Sequence, residues 1–480
     1  MKQLKITFMA VFALMFYSCD DFDTDLEVDN VENPTSLQIG NEATADKLFQ
    51  NWYNTVDNYY GPGLMFATMA DQTTMSWGNM GMRDMSSEPR VAWNNASTYT
   101  YAVATENYFN SLHAILADAN AIVAGIEGDM EFSDEDKYES LGRFGQGAAL
   151  GYLGLVFDQV WISDETGALN GGEPVGYMEA VELALDKLDM AIAAADRGSF
   201  SIDSQVYGQS YSSEQWSEFL NTFAARILVN SARNEQERNN LDWQRVLDYT
   251  QNGLTFDFAV GQDGWIQWWP DFIGYSIYPG WGRVDMRLIG MMDESYPQYW
   301  PGADPILPPA SSDDARLESD FEYLDYQDFP ADRGTYHWSS YRHSRYDYWL
   351  GSGFTADLYD MLQAENELYK AEAYLQLGMI SEAAATINAS SRVLRGELPP
   401  VADDAAAIAA AIHYERMIEL MNTGMGLGFF EMRGKDLLQE GTPLHLPVPG
   451  AALDAAGIPV YTFGGTTGTP GEDYSTGGWR

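Results

Sequence analysis

Apolar residues recur at every third or fourth position through most of the chain after residue 40, which is the spacing of helices that bury one face. The pattern is clearest late in the chain, where Leu368, Ala371 and Leu375 lie on one predicted helical face. Gly378 is expected to end that helix, and Ser381 is expected to cap the next one. The two helices have the length and the small residues of a tetratricopeptide-type repeat.

Similar stripes predict helices over 41–60, 104–126, 135–161, 179–198, 213–232, 241–253 and 405–424, with the pair inside 213–253 forming a looser copy of the repeat. Between about 254 and 355 this periodicity is lost, and Pro, Gly, Asp and aromatic residues dominate. A loop of that length inside a compact domain usually has a function. The sequence therefore predicts an all-α fold of tetratricopeptide-like helical repeats. It also predicts one domain over 41–480, with a long, irregular, aromatic-rich insert at about 254–355.

The first forty residues have a different pattern. Residues 1–18 begin with lysines, continue with an apolar run too short to span a bilayer as a helix, and end in serine, as secretory signal peptides do. Cys19, the only cysteine in the chain, follows directly. This order is typical of a bacterial lipoprotein signal, so we expect Cys19 to carry a lipid anchor. Residues 19–40 are acidic and lack periodicity, and we expect them to form a flexible tether.

Charge and motifs narrow the possible functions. The chain has 71 Asp and Glu against 26 Lys and Arg, a net charge of −45, which repels phosphate backbones and anionic lipids. We therefore expect no nucleic-acid partner and no membrane contact beyond the anchor. The sequence has no G-x-S-x-G elbow, no H-E-x-x-H motif and no Walker loop, and its five histidines lack the spacing of metal ligands. We predict no catalytic residue, no metal site and no cofactor.

Aromatic residues are the stronger functional signal. They concentrate in two irregular segments, 265–300 and 336–349. Such rings can stack on sugars or contact a protein partner, and packing in the core is the alternative interpretation. The candidate ligand-binding residues come from these segments and from the irregular stretch before residue 104. They are Trp77, Trp93, Asn94, Trp268, Trp269, Tyr275, Tyr278, Trp281, Trp338, Tyr341 and Arg342.

Four segments, in this order along the chain, resemble the SusD/RagB family. They are "LGRFGQGAALGYLGLVFDQVW" (141–161), "DDARLESDF" (313–321), "ERMIELMNTGMGLGFFEMRGKDLL" (415–438) and "LPVP" (446–449). The sequence departs from the family pattern in places. Ala315 replaces the proline of an Asp-Pro-Arg motif, Glu431 replaces an aspartate, and the arginine usual just after the glycine is missing near Gly426.

The resemblance implies a helical scaffold with a loop-rich ligand face, on a non-catalytic lipoprotein anchored in the outer membrane and facing the cell exterior. It also implies capture of a nutrient, most often an oligosaccharide and in some branches a peptide, and a SusC-like TonB-dependent outer-membrane barrel as partner. Two alternatives from other classes stay open at this point. One is a lipid-anchored surface glycan hydrolase, and the other is an adaptor that holds other proteins through its repeats.

Overall fold

The computed structural model describes residues 40–75, 78–128, 130–168, 172–298, 306–326, 338–466 and 473–479. The expected signal peptide, the tether and Cys19 lie outside the described residues, as does Trp77.

Helices are the dominant element. In the first half of the chain they are α1 (Glu42–Val56), α2 (Gly63–Met69), α3 (Met82–Met85), α4 (Val103–Glu127), α5 (Glu135–Val156), α6 (Tyr177–Arg197), α7 (Ser213–Asn230), α8 (Glu235–Asn239) and α9 (Trp243–Gln251). In the second half they are α10 (Asp271–Ile277), α11 (Met286–Met292), α12 (Arg316–Ser319), α13 (Asp347–Gly351), α14 (Gln363–Gln376), α15 (Ile380–Asn388), α16 (Ser391–Leu394), α17 (Ala405–Ile418), α18 (Leu427–Arg433) and α19 (Gly450–Ala456).

The long helices pack against their neighbours in the sequence, as in a repeat scaffold. Helix α4 packs on α5, α5 on α6, α6 on α7, and α14 on α15, while α9 joins α7 to α14. Each predicted helical segment after residue 40 overlaps one of the observed helices. The strands are short, and among the described residues they pair only in twos, without a closed sheet. The predicted all-α, tetratricopeptide-like fold class is confirmed.

Helix ends follow local side-chain chemistry. Asn41 caps α1 by accepting the backbone N–H of Thr44, and Ser212 forms a reciprocal capping box at the start of α7. Gly378, with φ of +76°, follows the end of α14 in the left-handed conformation that glycine favours, as predicted. The predicted cap at Ser381 is wrong. Helix α15 already begins at Ile380, and the Ser381 hydroxyl donates instead to Asp403 across 2.5 Å.

The predicted irregular insert contains short elements. Within 254–355 lie β6 (Phe258–Val260), β7 (Gly282–Val284), β8 (Phe321–Tyr323), β9 (Tyr341–His343) and the short helices α10 to α13. The other strands are β1 (Thr73–Met75), β2 (Gln159–Val160), β3 (Val175–Gly176), β4 (Ser201–Ile202), β5 (Tyr211–Ser212) and β10 (Leu358–Met361). Antiparallel pairs join β1 to β7 and β6 to β10, which ties the insert to segments outside it, while β8 pairs with β9 inside the insert.

Helix α5 lies at the centre of the core, and its glycines permit close packing. A β-carbon at Gly147 would lie 2.6 Å from Leu188 on α6, and one at Gly151 would lie 2.8 Å from Ile227 on α7. The glycine-rich stretch 142–147 ("GRFGQG") thus lies inside this helix, and all of its residues are buried. Of the described helices, α4 alone has the length and apolarity to cross a membrane, but 56% of its most apolar window is buried inside the protein, as in a core helix.

Two of the four segments that resemble the SusD/RagB family, 313–321 and 415–438, take part in buried ion-pair networks. Arg316 binds Asp314 beside it and Glu415 of α17, with N–O distances of 2.8 and 2.7 Å and no exposed side-chain surface on any of the three. Glu431, where the family has aspartate, accepts hydrogen bonds of 2.8 Å from both Arg238 and Arg416. These segments thus hold the second half of the scaffold together. A buried charge that loses its partner costs several kcal/mol, so the networks constrain how the helices pack.

Candidate functional site

A groove rich in side-chain amides lies where α1 and α4 meet the start of the insert. Its cavity of about 620 Å³ is within the range of small-ligand sites. We call it the carboxamide groove, because hydrogen-bonding amides outnumber charged groups along it. The amides are Gln50, Asn51, Asn54, Asn58, Asn107 and Gln267, and the rings of Tyr60, Tyr108 and Trp269 also line it.

The segment 263–269 is held in place from both sides. The Asp263 carboxylate accepts the backbone N–H groups of Ile266 and Gln267, which closes a tight turn. On the α1 side, Asn54 donates to the Gln267 carbonyl at 2.7 Å and accepts the Trp269 N–H at 2.9 Å. These bonds fix the position of Trp269 at the rim of the groove, where its side chain is 42% exposed.

Next to the groove, five aromatic rings form a continuous series, which we call the aromatic row. In order they are Tyr60, Tyr59, Tyr275, Trp281 and Tyr278, with centroid separations of 4.2, 5.9, 5.2 and 4.7 Å between successive rings. The ring planes of Tyr59 and Tyr275 are nearly parallel, at 10°. Tyr60, Trp281 and Tyr278 are exposed at 42, 37 and 40%. Exposed rings in series offer a surface on which flat or ring-shaped ligands can stack.

Backbone contacts attach the aromatic row to the scaffold. Asp57, at the end of α1, accepts the N–H of Phe272 through its carbonyl at 2.7 Å, which joins the tyrosine pair to α10. After α10, the N–H of Trp281 donates to the carbonyl of Tyr278 at 3.0 Å. This turn contains Gly280, whose φ of +87° favours glycine. The chain thereby turns back so that Tyr275, Tyr278 and Trp281 lie side by side.

A second cavity, of about 380 Å³, lies between the aromatic row and Trp265, and we call it the aromatic pocket. Trp265 stacks on Phe354 at 4.4 Å and meets Trp349 edge-on at 5.3 Å. Its backbone has φ of +62°, a strained conformation for a bulky residue. The pocket is lined by Tyr59, Asn79, Trp265, Asp271, Gly274, Tyr275 and Trp281.

Two carboxylates near the aromatic pocket are held away from water. Burial raises the pKa of Asp271 to about 6, and the only opposing contact is with the backbone of Tyr59. Burial and the neighbouring Asp360 raise the pKa of Asp57 well above its usual range. Burial, together with the Tyr60 hydroxyl, raises the pKa of Tyr59 to about 12, so this tyrosine stays neutral at physiological pH.

The structure brings part of the candidate set together. Trp269 lies at the groove, while Tyr275, Tyr278 and Trp281 belong to the aromatic row. Trp268 lies below them with 3% exposure, and its ring contacts Tyr53 at a centroid distance of 5.5 Å. Trp268 therefore anchors the segment that presents Trp269, and its own ring is not on the surface.

The other candidates lie apart from the aromatic row. Trp93 and Trp338 are each 1% exposed, and Tyr341 is 3% exposed on β9, a strand with both faces covered. Arg342 pairs with Asp347 and Glu322, so its guanidinium is already occupied. Asn94 is exposed, and its amide oxygen accepts the N–H of Ala96 at 3.2 Å. The expectation that some of the aromatics share a surface therefore rests on Trp269, Tyr275, Tyr278 and Trp281, and whether they bind a ligand stays a prediction.

Several residues of the site were not among the candidates. Tyr59 and Tyr60 follow the end of α1 and directly precede Gly-Pro-Gly. A pair of tyrosines beside such a turn is the sequence feature that could have identified them as candidates. No sequence pattern distinguished the amides of the groove, because Asn and Gln are common surface residues. Trp265 and Asp271 lie inside the aromatic segment that was singled out, but only the tertiary structure distinguishes them from their neighbours.

This combination defines a class of protein: a helical-repeat scaffold that carries a loop-built surface rich in exposed aromatic rings. No protein-family model matches the sequence, and no curated protein matches it. Solved structures with the same fold are SusD superfamily proteins. One from Parabacteroides distasonis is 14% identical and has a TM-score of 0.59, with 86% of this chain and 97% of that chain covered.

Two further solved structures have the same fold. A SusD-like carbohydrate-binding protein from Bacteroides vulgatus is 14% identical with a TM-score of 0.57, covering 82% of this chain and 83% of that one. Another SusD-like carbohydrate-binding protein, from Bacteroides fragilis, is 12% identical with a TM-score of 0.54, covering 83% and 87%. The resemblance to the SusD/RagB family is confirmed at the level of the fold.

Proposed function

We propose that this protein is a non-catalytic binding protein that captures oligosaccharides at the aromatic row and the adjoining carboxamide groove. The observation that carries the proposal is the juxtaposition of exposed rings with amides. Sugar C–H faces stack on Trp and Tyr, and amides donate and accept hydrogen bonds with hydroxyls. The SusD-like carbohydrate-binding proteins with the same fold support this ligand class. A peptide is the second ligand class, because the same groups can contact an extended backbone.

Capture is favoured over hydrolysis by the distribution of acids. Most glycosidases use two carboxyl groups, about 5 to 10 Å apart, that flank one bond. Among the described residues, Asp118 is the only acid that lines the carboxamide groove, and Asp271 is the only acid that lines the aromatic pocket. Neither cavity by itself has such a pair. A surface hydrolase is therefore the less favoured reading, and turnover assays on the glycans that bind would detect it.

The proposal extends to location and partner. The signal-like residues 1–18 and Cys19 favour a lipid anchor in the outer membrane, with the folded domain facing the cell exterior. A protein that only binds its ligand needs another protein to move it across the membrane. We propose a SusC-like TonB-dependent barrel as that partner. Co-purification with such a barrel is the test of this part.

The binding function is tested with alanine variants of the exposed rings. Trp269→Ala, Tyr278→Ala and Trp281→Ala are expected to weaken oligosaccharide binding about threefold to tenfold each, since one aromatic contact contributes roughly 0.5–1.5 kcal/mol. Affinity is measured by isothermal titration calorimetry against a panel of neutral oligosaccharides. Because these rings are exposed, the midpoint of thermal unfolding is expected to change little.

Tyr326→Ala is the matched control, since Tyr326 is 50% exposed and lines neither cavity. It is expected to leave affinity unchanged. Equal affinity in the three site variants and the control would contradict the proposed face. Unfolding of all three site variants would show that the rings are part of the core.

A further inference from the structure

The aromatic pocket has a negative charge with no countercharge. Asp271 is the first residue of α10, and among the described residues its carboxylate is hydrogen-bonded only by the backbone of Tyr59. No ion pair joins Asp271 to a basic residue in the described part of the chain, although many other half-buried acids of this protein have one. A carboxylate that is partly removed from water and unpaired is energetically costly.

The walls around this carboxylate are faces and edges of electron-rich rings. Tyr59, Tyr275, Trp281 and Trp265 line the same pocket as Asp271. Aromatic faces attract cations, by about 0.5–1 kcal/mol at exposed sites and about 2 kcal/mol when water is excluded. Rings that surround a single carboxylate form a cage suited to an ammonium group. A neutral ligand could use the rings but would leave the carboxylate unpaired.

The cage is preformed on the Trp265 side. Gly274 lies within α10, where glycine is unfavourable, and a β-carbon there would lie 2.7 Å from the indole of Trp265. The glycine thus lets the indole lie directly against the helix. Phe354 stacks on a face of Trp265 at 4.4 Å, and Trp349 meets the indole edge-on at 5.3 Å. A wall fixed in this way loses little conformational entropy when a ligand binds.

We propose that the aromatic pocket binds the protonated amine of an amino sugar within the captured oligosaccharide, with Asp271 as its countercharge. This inference rests on the proposed function and narrows its ligand class. The net charge of −45 also favours cationic ligands, because it raises their concentration near the surface. A sugar amine is preferred over a basic peptide side chain because the neighbouring carboxamide groove is suited to the hydroxyls of adjoining sugar units.

The test compares oligosaccharides of equal length that differ in the group on C2. Glucosamine tetramers carry amines, N-acetylglucosamine tetramers carry neutral amides, and glucose tetramers carry hydroxyls. Calorimetry at low salt is expected to show at least about tenfold tighter binding of the amine, with the preference declining as NaCl is added. Asp271→Asn is expected to reduce the ratio of amine to neutral affinity to about twofold to fivefold, which is the part that the rings alone supply.

Asp248→Asn is the matched control for charge, because it removes the same unit charge from the exposed side of α9 and is expected to keep the ratio. If Asp271→Asn does not fold, Trp281→Leu removes one wall at the surface and is expected to lower the same ratio. A ratio near one in the unmodified protein, or an unchanged ratio in Asp271→Asn, would overturn this inference while leaving oligosaccharide capture intact.

The other outcomes also discriminate. Absence of binding to all three tetramers and to the neutral panel would contradict both proposals. A lysine-containing peptide that binds more tightly than the glucosamine tetramer, and loses that advantage in Asp271→Asn, would overturn the amino-sugar assignment in favour of a basic peptide.

Discussion

Trp268 and Trp269 are consecutive residues with opposite environments. Trp268 packs among Phe49, Tyr53 and Tyr207 with 3% exposure, whereas Trp269 is 42% exposed at the groove. In a strand or helix the position in the repeat would decide which of two neighbours is buried. Here the turn closed by Asp263 decides it, so composition identifies the segment but not which of its two rings is exposed.

Buried acids below the site are a second residue-scale feature. Asp360 is 6% exposed, and its Oδ2 atom has no hydrogen-bond partner among the described groups. Burial raises its pKa to about 6, although Arg226 lies 4.0 Å away. Asp57, with 4% exposure, is close enough for Asp360 to raise its pKa further. These carboxylates destabilise the folded protein in their charged form.

We therefore predict that Asp360→Asn stabilises the protein at pH 7. The pKa of Asp360 is about 6 when folded, against a usual value of 3.8, so the folded state holds the proton more tightly. The free energy of unfolding of the natural chain thus falls as pH rises from about 4 to about 6, and stays at the lower value above that. The side-chain amide of the variant does not ionise, so its free energy of unfolding does not fall over this pH range. The variant should therefore be more stable than the natural chain by roughly 1–3 kcal/mol at pH 7, and equally stable near pH 4.

Chemical denaturation at pH 4 and pH 7 measures this difference. Asp357→Asn, three residues away and exposed, is the control and should change stability by less than about 0.5 kcal/mol at both values. A destabilised Asp360→Asn variant at pH 7 would mean that the charged carboxylate is required by Arg226.

At the scale of elements, hydrophobic periodicity was sufficient to predict the long helices of the scaffold. Helices such as α6 and α14 bury one stripe each, so the apolar spacing marks them directly. The ends of the helices were harder to predict. The N-cap residue of α15, for example, is Met379, whose side chain makes no capping hydrogen bond. The short helices inside the insert were not predicted, because they have four to seven residues, fewer than two full turns. Its geometry depends on distant contacts, such as the pairing of β7 with β1.

A buried ion pair between two of these elements carries a prediction. Arg226 of α7 binds Glu365 of α14 through two hydrogen bonds of 2.7 and 2.8 Å, and both side chains are at most 1% exposed. Glu365→Met leaves the guanidinium without its main partner and should cost about 3–5 kcal/mol. The double variant Arg226→Met with Glu365→Met should recover at least about half of that loss, because it removes both charges.

Denaturant unfolding of the three proteins measures both quantities. The comparison is Arg197→Met, which breaks an exposed pair with Asp136 and should cost less than about 1 kcal/mol. If Glu365→Met costs no more than Arg197→Met, α7 and α14 are held by apolar packing and the ion pair adds little.

At the scale of the whole molecule, the charge and the binding face have to be considered together. A net charge of −45 keeps the protein away from anionic membrane surfaces, yet the proposed function requires it to stay at the cell surface. The described residues supply no apolar anchor in its place, since the one described helix with membrane-spanning character is a core helix. A covalent lipid is the simplest solution, and Cys19 is the only thiol that could carry it.

The last prediction follows from this. In a Gram-negative host, Cys19→Ala should move the protein from the membrane fraction to the soluble fraction, because lipid can no longer be attached to the thiol. Its affinity for ligand should be unchanged, since the tether precedes α1 and the groove is built from later residues. Labelling with radioactive palmitate should mark the natural chain and not the variant. Ser36→Ala, a small substitution in the same tether, should keep both the label and the membrane location. If Cys19→Ala remains in the membrane after a high-salt wash, another segment anchors the protein. The expected outer-membrane location would then need a different physical explanation, with residues 6–17 retained as an uncleaved apolar segment as the first alternative to examine.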